Sequence, residues 1–253
     1  MRGYLVAGTV GLVLLSVVAA VGGAIACRYY LSPSIADPHG LLRKIASGKE
    51  YAMSYGPNRV EFPCADEHIN RIAENALAVK DAFHACREQL SVTFAPFTAN
   101  EPDLFAIFVT IVASRLGPYG HSTQKHWTKI PKERALNCSQ HSIFVSHAIQ
   151  HFYPEVETVR YGLDGGVIGN HALVAYRRDD FEMVLDGMIS LILILPIHKV
   201  LEGEPANVFD MFDFYSRTDE SVEISRRRIR GALRMGAIRP EHVIYKDIDD
   251  LDS

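Results

Sequence analysis

Hydrophobic and polar positions change rhythm twice along this chain of 253 residues. Residues 3–26 carry no charged side chain, and residues 28–63 then break into a stretch rich in Pro and Gly. From 65 to 90, Ile69, Ile72, Ala76, Val79 and Phe83 recur at helical spacing, which predicts one long helix. A second helix is predicted over 102–116, with Pro102 suited to its first turn and Gly117 to its stop. Residues 117–136 read as loop. Asn137 is then a good N-cap for a helix running to about Phe152, where Pro154 ends it. After that the period shortens. Residues 156–161, 171–177, 181–185 and 189–195 read as successive strands, parted by turn-like residues at 164–169 and 178–180. The last of them is too short to cross a membrane and reads as a buried strand. A late helix is predicted over 221–235, and a short one near 41–46.

Helices, then a helix opening on a cysteine, then strands joined by short turns make an α+β chain with an antiparallel sheet. The boundaries follow the same rhythm. Residues 1–27 form a membrane anchor or signal segment, 28–63 a linker and irregular lead-in, 64–246 the folded domain, and 247–253 an acidic tail. At about 1.5 Å per residue the apolar run would reach roughly 36 Å as a helix, enough for a hydrocarbon core of about 30 Å. It reads as a retained anchor. Ala24-Ile25-Ala26 also fits a cleavage site, and Cys27 after it a lipidated one. Each of these readings puts the domain outside the cytoplasm, and a retained anchor would contact the membrane through residues 3–26.

Composition narrows the partners. The net charge of -4 argues against nucleic acid. The basic cluster of Arg226, Arg227, Arg228, Arg230 and Arg234 reads as a solvated helix face. Four cysteines are present. Cys27 belongs to the apolar segment, and Cys64 and Cys86 are either a disulfide pair or two buried thiols.

Cys138 remains, and its surroundings suit chemistry. It follows the predicted cap Asn137, where unpaired amides and the helix dipole favour negative charge. His171 opens a predicted strand and Asp186 ends the next one. Adjacent antiparallel strands can bring the two together, so the acid would orient the imidazole and the imidazole would serve the thiol. Singly, each has a plainer role: a core cysteine, a packed histidine, a turn aspartate. Together and in order they point to acyl transfer through a thioester.

The stretch 134–190 resembles the transglutaminase-like superfamily, relatives of the papain fold. The shared pattern is a cysteine opening a helix, a strand with Arg and Gly, a strand opening with His, and a strand ending with Asp. Here these are Cys138, Val159-Arg160-Tyr161-Gly162, His171 and Asp186. The resemblance implies Cys138 as nucleophile, His171 as base and Asp186 as orienting acid, with no cofactor. It also implies an oxyanion donor from upstream, for which Gln124 and Trp127 stand at suitable positions. The chain departs from the pattern at Leu173, where an aromatic is usual, and at Gly187, where proline is. His147 and His151 share a helix face at metal-binding spacing with His141 nearby, but no further ligand completes a set, so no metal is expected. The expected activity is a cysteine protease or amidase acting on a peptide or protein substrate. The alternatives are a cross-linking transglutaminase and an inactive membrane-tethered scaffold.

Overall fold

The computed structural model describes residues 52–54, 59–61, 66–87, 91–93, 99–165, 168–179, 181–206, 211–214 and 220–248. The apolar run 3–26 and the helix expected near 41–46 lie outside them. Among the described residues no helix is long and apolar enough to cross a membrane.

The elements follow in the order β1 (Ala52–Ser54), β2 (Arg59–Glu61), α1 (Asp66–Glu74), α2 (Val79–Arg87), β3 (Ser91–Thr93), α3 (Glu101–Ala113), α4 (Cys138–Phe152), β4 (Glu157–Leu163), β5 (His171–Arg178), β6 (Phe181–Asp186), β7 (Leu191–Leu193), α5 (Ile197–Leu201), β8 (Met211–Phe214), α6 (Glu220–Arg234) and β9 (Val243–Ile248). Seven strands form one antiparallel sheet in the order β1-β8-β7-β6-β5-β4-β9, and β2 pairs with β3. The chain is α+β, as its hydrophobic rhythm requires.

Alternation along the strands separates two cores. Val174, Tyr176, Met183, Leu185 and Ile192 face one cluster, built with Phe83, Phe105, Phe108 and Phe144 of α2, α3 and α4. Val159, Tyr161, Leu163, Leu173, Val184, Leu191 and Leu193 face the other, with Ile229, Ala232 and Leu233 of α6. Buried Asp103 ties α3 to β5: its carboxylate accepts from the Tyr176 hydroxyl at 2.7 Å and from Arg178 at 2.9 and 3.1 Å.

Several expectations need correction. The long helix over 65–90 is two. Asn75 stops α1, caps a 3₁₀ turn at Ala76–Ala78 through its side chain, and lets α2 start anew. The lead-in 28–63 is not all linker, because β1 lies at one edge of the main sheet. The acidic tail starts too early, since Asp247 stands in β9 opposite Arg160 and accepts from it at 3.1 Å. The strand over 189–195 shrinks to Leu191–Leu193, and it is buried. The basic cluster is not one solvated face. Arg226 and Arg230 are buried, while Arg227 and Arg228 are exposed. Arg226 donates to the Ile189 carbonyl at 3.3 Å, because α6 covers a sheet face whose turn carbonyls need donors.

Candidate functional site at the first turn of α4

The site starts from a helix cap. The Asn137 side chain accepts from the Ser139 amide at 2.9 Å and the Gln140 amide at 3.3 Å, and Gln140 returns a bond to the Asn137 amide. This capping box fixes the start of α4 and uses its amides selectively. The cap takes Ser139 and Gln140 and does not take the Cys138 amide. Cys138 itself is a free thiol, half-buried, and packed against the second core cluster.

The sheet brings up the other two residues. The register pairs Val174 with Leu185. Continued by one step it sets Asp186 across from Leu173, so Asp186 and His171 share a face as diagonal neighbours, within side-chain reach. His171 Nε2 and Asp186 Oδ2 lie 2.5 Å apart, both side chains buried. Asp186 is itself held, since its Oδ1 accepts from the amides of Met188 at 3.1 Å and Ile189 at 3.3 Å. That turn requires Gly187. A Cβ there would stand 2.8 Å from Val145 and 3.0 Å from Ala113.

Cys138 and His171 stand on the wall of one cleft, and the charge of Cys138 acts on the imidazole. Burial alone would hold the imidazole neutral. The Asp186 charge, the hydrogen bond to it and the Cys138 charge outweigh burial and raise His171 to about 10. His171 is thus bonded to Asp186 and shares a cleft wall with Cys138.

A cleft of about 460 Å³ opens beside them. Asn137, Cys138 and Ser139 line it from α4, and Asn170, His171 and Ala172 from the start of β5. Tyr119, Gly120 and His121 line it from the upstream loop, and Ile244 and Tyr245 from β9. No Asp, Glu, Lys or Arg is among them. The upstream loop is pinned there by a parallel bridge between Tyr119 and Leu136, with Gly120 donating to the Leu136 carbonyl at 2.9 Å.

Gln124 and Trp127 do not line this cleft. The Gln124 side-chain oxygen accepts from the amides of Lys125 and His126 and its nitrogen reaches Glu133, so the side chain serves its own loop. Trp127 packs on Phe144, His151 and Phe152, toward the far end of α4 from Cys138. Sequence position alone chose these two, and the loop folds so that 119–121 approach the thiol instead. Tyr119, His121, Ile244 and Tyr245 carry no periodic signal. The one hint was Gly162 inside a strand, which often marks a close approach.

His141 also departs from its expected place on a helix face. It is buried beside Asp186, and burial lowers it to about 4 despite the pull of that carboxylate. Among the described residues no group of three or more His, Cys, Asp or Glu could hold a metal ion. Cys86 is disulfide-bonded. With Cys138 free, its partner lies outside the described residues, as Cys64 does.

No protein-family model, curated protein or solved structure matches this chain.

Proposed function

We propose that this protein is a thiol acyl-transfer enzyme of transglutaminase-like, papain-related type, a cysteine protease or amidase working through a thioester on Cys138. One observation carries the reading: a free cysteine at a capped helix start, a histidine on the same cleft wall, and a buried aspartate bonded to that histidine.

The chemistry runs as follows. Sγ adds to the substrate carbonyl carbon and the carbonyl π pair moves to oxygen. The Cys138 amide, at the positive end of α4, faces the charge that develops. His171 holds a proton that it gives to the leaving nitrogen as the C–N bond breaks, leaving a thioester. Water then gives a proton to His171 and attacks the thioester, and the thiolate departs. Asp186 keeps the imidazole in place and offsets its positive charge throughout.

A cleft lining without Asp, Glu, Lys or Arg suits a peptide or protein segment, and water reaches the thioester through the same opening. The disulfide at Cys86 suits an oxidising compartment, in keeping with a domain held outside the cytoplasm by residues 3–26.

Mass spectrometry of the full-length chain mixed with p-nitrophenyl acetate tests the reading. One acetyl group on Cys138, absent in Cys138→Ala, is expected. Acetylation confined to surface lysines would return Cys138 to a packing role and favour a scaffold.

A further inference from the structure

One residue of the cleft has no role in that mechanism. Tyr245 sits in β9, directly opposite Gly162 of β4, which is in turn opposite Ala172 of β5. This row lies on the α4 side of the sheet, like Thr158, which bonds Ser146 of α4 at 2.8 Å. Its side chains are a methyl group, nothing and a phenol. The gap is used: a Cβ on Gly162 would fall inside the Tyr245 ring. The ring therefore lies across the bare strand, under the start of α4. There the phenol lines the cleft together with Cys138 and Ser139.

We propose that Tyr245 is a catalytic residue of the Cys138 site, its phenol O–H donating to the carbonyl oxygen of the acyl substrate as Sγ adds. The inference rests on the acyl-transfer reading. The chemistry asks for two donors at the forming oxyanion. The Cys138 amide is one. Gln124 and Trp127, the upstream residues, are engaged elsewhere, whereas Tyr245 lines the cleft.

The phenol is suited to the task. Burial raises Tyr245 above the ordinary tyrosine value, so it keeps that proton. The step balances without proton transfer from the tyrosine. The S–C bond forms, the π pair moves to oxygen, and the oxyanion accepts from two donors. The pair returns when the leaving group departs with the proton of His171.

Two reagents separate this role from packing. p-Nitrophenyl acetate passes through a tetrahedral oxyanion, whereas iodoacetamide alkylates a thiolate by direct displacement and forms none. In full-length Tyr245→Phe, which keeps the ring over Gly162, the p-nitrophenol burst should slow at least tenfold. Losses of about 10²–10³ are typical for one such donor. The iodoacetamide rate should stay within about twofold of the parent. An unchanged burst overturns the proposal. So does an equal fall in both rates, which would mean that the phenol shapes the cleft. A parent chain with no burst overturns the acyl-transfer reading, and this inference with it, and the parent trace alone reveals that.

Discussion

Two buried histidines flank Asp186, and their charges are set in opposite senses. His141 is lowered to about 4 by burial, so its folded value lies below the unfolded value of about 6.5. The stability it contributes is present above pH 6.5 and is lost as pH falls toward 4. His171 is raised to about 10, as the Asp186 charge and hydrogen bond and the Cys138 charge outweigh burial. Its contribution is full below pH 6.5 and is lost as pH rises through 10. Each shift is worth a few kcal/mol. Urea unfolding should therefore give greatest stability near pH 6.5, with a decline on both sides. His141→Gln should flatten the decline between pH 6.5 and 4.5, before most carboxylates titrate. An unaltered decline would mean that His141 is charged in the folded protein. Gly187 belongs to the same scale. Gly187→Ala forces a methyl group against Val145 and Ala113, which should cost about 1–3 kcal/mol and shift the Asp186 turn. A fully stable variant, by thermal melt, would show that the turn relaxes freely.

At the scale of elements, the cap of α4 links folding to the site. Asn137→Ala removes the acceptor for two amides and should cost about 0.5–2 kcal/mol in urea. The network at Asp103 is a stronger test of packing. Asp103→Ala leaves Tyr176 and Arg178 without their shared buried acceptor, and a loss of roughly 3–5 kcal/mol is expected. A loss below about 1 kcal/mol would mean that water replaces the carboxylate. The elements that apolar periodicity and caps describe well were legible in the sequence. Asn137 and Pro154 bounded α4, Pro102 opened α3, and the alternation of β5 and β6 set His171 and Asp186 on neighbouring strands. What was not legible depends on distant partners. Asn75 is a turn residue whose cap splits a continuous apolar stripe. β8 is short, and β9 takes its pairing from a strand far away in sequence. The buried face of α6 looked basic because Arg226 and Arg230 gain their inward place only from the sheet they cover. The cleft is legible only in part for the same reason. Its loop and β9 residues meet the thiol through the bridge at Leu136 and the register at Gly162.

At the scale of the whole molecule, the two cores fix the sheet from both faces and leave the cleft between the start of α4, the start of β5 and the edge strand β9. Every group in the proposed mechanism stands on one of these elements or, for Asp186, at the end of β6, so positioning depends on sheet register more than on loops. The proposed mechanism requires that Cys138 and His171 form a thiolate–imidazolium pair. The most direct measurement is the rate of iodoacetamide alkylation of Cys138 against pH, in the full-length protein and in His171→Ala. Fast alkylation that persists below neutral pH in the parent and disappears in the variant is the predicted result. Slow alkylation rising only at alkaline pH, alike in both, would contradict it and leave Cys138 a packed residue.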